Sequence, residues 1–488
     1  MPMSEGKPSV KTLALLFVAF VAIWSVYFAI TESQASIHND MAEAYVWGRE
    51  FQFGYNQHPP FWAWICGAWF FVFPRAGWAF AILSSLNAAI GLWGSWMLIG
   101  RFADGDKRIA ATALLLLTPF YTFLSYKYNA NSIFLSLWPW TLFFFLRAID
   151  EGGIWDAIAF GLLMGCALLS KYYAGVLGAT CGLAALQHPD RARYFRSASP
   201  YVSVLVALAL FAPHVVWLMS SGAPPIRYLA RVSGRGFGAS AGFAGAALLG
   251  AFAQNGLAVG LIAFAAVFEP RGAPAPRIRI LATLVLAPLA LTMLAALTLR
   301  TKISTNMMIG IFSLAPLFAI EVLGARGIRR LRRLALRLAA LVTLGALAAS
   351  PVIAVGKAWY SRSPEDADPR KEIAQAATRF WRDAAGTPLA YVAGSYRYDN
   401  AVAFYSADRP HAFTHFDEFG NRWVTPGLLA EKGLLSVCVK DDGECAASTA
   451  RFATSGSKRE EMTLSHDFLG HSRAPVTFIV TVIPPVER

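Results

Sequence analysis

The chain has 488 residues, 56% of them hydrophobic and 15% charged, with a mean hydropathy of +0.46. That balance excludes an ordinary soluble enzyme of this length and points to a polytopic α-helical membrane protein. The net charge of +13 would suit nucleic acid, but the basic residues sit between apolar runs, as membrane topology demands, and no nucleic-acid motif is present.

Lys7 and Lys11 precede an apolar run over 12–31. It is long enough to span and lacks a small-residue cleavage site, so it reads as an uncleaved anchor. Further runs of spanning character cover 78–100, 108–125, 131–148, 154–170, 172–187, 199–219, 241–268, 279–299, 303–323 and 338–356. The pair 154–187 also reads as one long bent segment. The stretch 59–74 reads as an interfacial helix, because prolines bracket it and Trp62, Trp64 and Trp69 suit the headgroup region; an additional span is the alternative.

Basic residues fall on alternate loops: Arg101, Lys107 and Arg108; Arg147; Arg191, Arg193 and Arg196; Arg271, Arg277 and Arg279; and the run from Arg326 to Arg337. The positive-inside rule makes these loops cytoplasmic, which puts the N-terminus inside and the tail outside. An odd number of spans follows, and about eleven fits. The chain then divides into a transmembrane domain, 1–356, and a small outer α/β domain, 357–488. In the tail, "SRSPEDADPRKE" reads as a linker, "PLAYVAGS" and "APVTFIVTVI" as strands, and "DNAVAFYSA" and "CAASTARFA" as short helices.

Cys66, Cys166 and Cys181 lie in apolar runs and read as small core residues. Cys438 and Cys445 frame "CVKDDGEC" and are disulfide candidates in an oxidising compartment. A second ligand pair, which a metal site would need, is missing at that spacing.

With this topology the unusual polar residues collect on the outer side. Asp40, Glu43, Tyr55 and His58 lie in the first outer loop, "NDMAEAYVWGREFQFGYNQHPP". Lys127, Asn129 and Asn131 follow at the next outer turn and Lys171 at the one after. Arg227, Arg231 and Arg235 come next, then Arg300 and Lys302. Outer-side cations run against the usual bias, and polar groups at span ends are costly unless partnered. Together they suggest an anionic ligand, with phosphate the natural candidate at a membrane surface. The plainer readings are snorkelling for Lys127 and Lys171, helix capping for the asparagines, a turn role for His58 and a helix N-terminal charge pattern for the acids. Asp40 and Glu43, three apart, share a helix face, which also suits a base with an orienting acid.

The ordered set Asp40-x-x-Glu43-Ala44, Gly54-Tyr55, His58-Pro59-Pro60, "NANSIFLSLWPW" and "ALLSKYYAGVLG" resembles the bacterial relatives of glycosyltransferase family 39, among them the protein mannosyltransferases and the lipid A aminoarabinose transferase. The resemblance covers roughly 37–240 and, more loosely, Lys302. It implies a GT-C helical bundle with interfacial helices in the first outer loop. It also implies transfer of a sugar from a polyprenyl-phosphate donor to a lipid, glycan or protein acceptor at the periplasmic face of a bacterial inner membrane. The first-loop acid would be catalytic base or acceptor-orienting group, falling here on Asp40 and Glu43. Ala42 stands where many members carry a second acid, and Asn131 where many carry Asp. No cofactor follows with certainty, and a divalent metal is left open.

The chemistry agrees with the residues. A departing lipid phosphate gains negative charge that fixed cations stabilise, with Lys127, Lys171, Arg231 and Lys302 as candidates, and Arg227 beside them. An acid near the acceptor takes its proton. A nucleotide-type Gly-rich loop is absent from the sequence. The alternatives are a lipid-linked-sugar flippase, which should show internal repeats and a midplane site, and a non-catalytic envelope assembly protein, for which Asp40 and Glu43 would be dispensable.

Overall fold

A computed structural model describes residues 9–267 and 277–486. Lys7, Arg271 and the final residue of the 241–268 run lie outside them. The chain is a multi-span helical membrane protein with a small sheet region towards its C-terminus. Six of the described helices are long and apolar enough to cross a membrane: Val10–Thr31, Gly77–Ile99, Ser199–Ser220, Phe237–Gln254, Ile278–Thr298 and Ala325–Tyr360. Shorter apolar helices cover Phe61–Val72, Ile154–Leu168, Ala174–Gln187 and Gly256–Val267.

Several expected runs are broken, each for a local reason. The run 108–125 is a helix only over Gly105–Leu116; Pro119, which lacks an N–H and biases its predecessor away from helix, follows within one turn. The run 241–268 divides at Asn255, whose side-chain amide donates to the Ala251 carbonyl at 2.8 Å. The run 303–323 is a 3-10 helix, Thr305–Ser313, followed by the short helix Ala315–Ile320. The runs 154–170 and 172–187 are two separate helices, as expected from the sequence, with Leu169–Tyr173 between them, and not one bent segment. Conversely, 338–356 extends through the arginine run, a good helix former, into the 36-residue helix Ala325–Tyr360.

The chain clusters into two compact units. One contains Gln57–Trp62 and Ala81–Ala348 with the N-terminal helix up to Val26. It packs by small residues, as membrane helices do. A Cβ at Gly161 would strike Ser203 of the helix Ser199–Ser220, and one at Gly91 would strike the Leu135 carbonyl.

The other unit joins Tyr27–Asn56, Ala63–Phe80 and the chain from Ala349 onward. Its sheet runs in the order His411–Ala412, Tyr391–Gly394, Leu434–Val439, Val476–Ile483, Lys458–Leu464. The first three strands are parallel and the last two pair antiparallel. A disulfide joins Cys438 and Cys445, whose Cα atoms are 5.7 Å apart, within a core that includes Tyr391, Phe413, Phe416 and Ile483. The "SRSPEDADPRKE" stretch is no solvated linker. Arg370 is 1% exposed and faces Asp368 at 3.4 Å and Glu365 at 3.7 Å, with a long contact to the Ile37 carbonyl.

Candidate active site

In the second unit the first-loop acids lie on the helix Asn39–Glu50. His38 caps it, its Nδ1 accepting the Asp40 N–H at 3.1 Å. A neutral ring with that acceptor carries its proton on Nε2, which faces Glu365 at 3.7 Å. The helix is clamped on several sides. Gly48 crosses Gly67 so closely that a Cβ on either would meet backbone of the other. Arg49 donates to the Arg409 carbonyl at 2.8 Å, Glu50 meets His411 at 2.6 Å, and Tyr45 packs edge-on against Phe404.

Asp40 and Glu43 end in different surroundings. The Asp40 side chain is 37% exposed; Glu43 is 5% exposed, and its Oε1 is buried without a hydrogen-bond partner. Burial first, then the charges of Asp40 and Asp399, lift the Glu43 carboxyl well above the usual carboxylate range. Asp399 is fully buried on the helix Tyr398–Tyr405. Burial pushes its carboxyl up to about 7, against two backbone N–H bonds that lower it. Burial thus disfavours the charged form of Glu43, while the Asp40 side chain on the same helix is the accessible one of the pair. Tyr55 is buried, stacked on Trp47, and donates its hydroxyl to the Trp47 carbonyl at 2.5 Å.

The first unit assembles a different group. The break at Leu169–Tyr173 ties three elements: Lys171 Nζ donates to Asn131 Oδ1 at 2.7 Å, Tyr172 meets His214 Nε2 at 2.8 Å and Tyr173 meets Thr292 at 2.7 Å. The His58 loop joins here, with the Phe61 N–H on the Leu169 carbonyl and the Tyr128 hydroxyl on the Trp62 carbonyl. Enclosure, and then the Lys171 ammonium, push the His58 imidazole down to about 3, so it is neutral beside a cation. Asn129 serves as a cap: its Oδ1 accepts the N–H groups of Asn131 and Ser132, both at 2.9 Å, while Ser132 Oγ accepts the Asn129 N–H.

The remaining cations are not drawn into that group. Lys127, Arg227, Arg231, Arg235, Arg300 and Lys302 are all exposed. Arg227 and Arg231 share the helix Pro224–Val232, which ends before Arg235. Arg235 and Lys302 meet through Phe243, lying 5.7 and 5.3 Å from its ring centre, and the Arg235 N–H binds the Arg300 carbonyl at 3.0 Å.

Among the described residues one set of side chains has the spacing of a cation site: Asp150, His188 and Asp190. Its Asp150 already holds Arg101 at 2.7 Å and Arg277 at 2.9 Å, so it is the centre of an ion-pair network tying loops together. The sequence reading missed His38, Asp399, Tyr172 and His214. "HND" at a helix entry was a legible capping signal for the first; the others become neighbours only through the fold.

Residues 57–217 match the family model described as dolichyl-phosphate-mannose-protein mannosyltransferase. The structure is similar to that of ArnT from Cupriavidus metallidurans bound to undecaprenyl phosphate, with a TM-score of 0.63 and 14% identity over 96% of this chain and 98% of that one. The chain has the GT-C fold. The apo form of the same ArnT gives a TM-score of 0.58 at 15% identity, over 97% and 98% of the two chains. The lipopolysaccharide core galacturonosyltransferase RgtA of Rhizobium johnstonii is 24% identical over 229 residues, 44% of this chain and 43% of RgtA; the match thus spans less than half of that relative. The family resemblance read from the sequence is supported by all three comparisons. On this GT-C chain the segment matched by the family model holds His58, Asn131, Lys171 and His214, and leaves out Asp40 and Glu43.

Proposed function

We propose that the chain is an integral-membrane glycosyltransferase that moves a sugar from a polyprenyl-phosphate donor to a lipid, glycan or protein acceptor at the periplasmic face of a bacterial inner membrane. The observation that carries this is the Lys171–Asn131 contact beside a neutral His58, inside the segment that matches a mannosyltransferase family. The fold shared with a protein bound to undecaprenyl phosphate supports the choice of donor. The N-terminus would be cytoplasmic and the domain after residue 356 periplasmic.

In the proposed reaction the bond between the anomeric carbon and the phosphate oxygen breaks, and its electron pair leaves with the lipid phosphate. Lys171, held by Asn131, stabilises that developing charge; His58, being neutral, adds none. The acceptor oxygen bonds to the anomeric carbon and gives its proton to a base, the role that the sequence resemblance gives to Asp40. Glu43, on the same helix, is the orienting acid. Arg227, Arg231 and Lys302, with Lys127, attract the lipid phosphate by their field, and Tyr55 supports the acid helix.

The test supplies membranes carrying the chain with radiolabelled polyprenyl-phosphate sugars and follows label into lipid, glycan and protein. The native chain transfers label; Asp40→Asn is slowed by about 10²–10⁴-fold, the range of a lost general base. Unchanged transfer in Asp40→Asn removes Asp40 from the mechanism, and no transfer from any donor favours a flippase. A reporter fused after residue 357 that stays cytoplasmic overturns the orientation.

A further inference from the structure

The second unit holds a cavity that the proposed chemistry does not use. It has a volume of about 570 Å³ and is formed by the stretch from His415 to Phe419 facing Arg451 and Phe452. That volume lies within the roughly 300–1,000 Å³ of small-ligand sites. One side is aromatic: Phe416 stacks on Phe452 with ring centres 6.0 Å apart, and Phe419 is 61% exposed. Asp417, Glu418 and Arg451 share the lining, and the Asp417 carboxylate accepts the Phe419 N–H at 3.0 Å.

The loop is held in this shape. His415 and Phe416 both have positive φ, 59° and 51°, a conformation unfavourable for non-glycine residues and kept only when the surroundings enforce it. Asn421, fully buried, enforces it: its Oδ1 accepts the Thr414 N–H, and its Nδ2 donates to the Thr414 and Asp417 carbonyls at 2.9 and 2.7 Å. Gly420 lies against the Asn56 side chain, with no room for a Cβ.

The cavity is also tied to the acid helix. The His415 ring stacks on Tyr396 at 5.6 Å and 14°. The Tyr396 phenol is pushed up by burial and then by the charges of Glu43 and Asp40, so it stands close to both acids.

We propose that this cavity binds a hexose ring of the acceptor. A pyranose offers one face of C–H groups, which packs on an aromatic face of negative potential, and an edge of hydroxyls, which donate to carboxylates and accept from a guanidinium. Phe419 supplies the first and Asp417, Glu418 and Arg451 the second. Two carboxylates against one arginine disfavour a phosphate or uronate here. The proposal rests on the glycosyl-transfer reading only in calling the sugar the acceptor.

The test uses the full chain in detergent and saturation-transfer NMR with the methyl glycosides of glucose, galactose and mannose. The native chain saturates at least one of them. Phe419→Ala, at an exposed position that leaves folding intact, reduces the signal at least tenfold, and Phe419→Trp keeps it. Equal signals from native and Phe419→Ala, or no signal from native with all three, overturn the proposal. Release of polyprenyl phosphate from labelled donor is measured on the same preparations. A chain that binds hexoside in a Phe419-dependent way but turns over no donor keeps the sugar site and loses the transferase reading. A chain that transfers with the same acceptor KM in Phe419→Ala keeps the transferase reading and loses the sugar site.

Discussion

Lys171 and the cations of the Arg227–Lys302 region carry the same charge in opposite settings. Lys171 is half-buried and fixed by Asn131 at 2.7 Å. Arg227, Arg231 and Lys302 are exposed, and Lys302 lies over the face of Phe243. A cation held in a confined site acts on charge developing at one place, because little water screens it and it need not reorganise. Exposed cations act through their summed field, which salt screens within about 10 Å at 0.1 M. In the proposed reaction Lys171 would serve the chemical step, and Arg227, Arg231 and Lys302 the capture of the lipid phosphate.

Substitutions can break or sharpen this distinction. The largest effect is expected for Lys171→Met, a fall in transfer rate of about 10²–10³-fold with little change on adding salt, since a preorganised stabilising donor is lost; initial rates at several salt concentrations check it. The double variant Arg231→Ala/Lys302→Ala should raise the donor KM by roughly tenfold at low salt and leave kcat unchanged, the effect fading as salt screens the native field. Glu43→Gln is expected to slow transfer less than Asp40→Asn does, because burial already disfavours the charge that the amide lacks.

Asp399→Asn tests the second unit by stability. The Asp399 carboxyl is raised to about 7 in the folded chain, so its favourable contribution is complete below the ordinary Asp value near 4 and is lost as pH rises through 7. The native unfolding midpoint should therefore fall between pH 4 and 8, and Asp399→Asn should flatten that slope in a thermal melt.

The contrast also marks what was legible in the sequence. Apolar runs and arginine-rich loops announced a membrane bundle because length and hydropathy are properties of contiguous segments. The strands at Tyr391–Gly394 and Val476–Ile483 and the helices at Tyr398–Tyr405 and Gly443–Ala450 were legible for the same reason. Lys171 and Asn131 could each be singled out as polar groups at span ends, but their pairing joins residues forty positions apart. Asn129 shows the opposite case, in which a residue chosen for a ligand spends its carbonyl on two backbone N–H groups. The upward push on the Glu43 carboxyl was not legible at all. It comes first from burial that no local pattern announces, and then from Asp40 and from Asp399, some 350 residues away in the chain.

The central claim is that Lys171, and not the exposed cations, serves the bond-breaking step. The direct test is the transfer rate at saturating labelled polyprenyl-phosphate sugar, with Lys171→Met and Arg231→Ala/Lys302→Ala measured side by side. The account predicts that kcat falls at least a hundredfold in the first and stays at the native value in the second; equal losses in both, or a native rate in Lys171→Met, would contradict it.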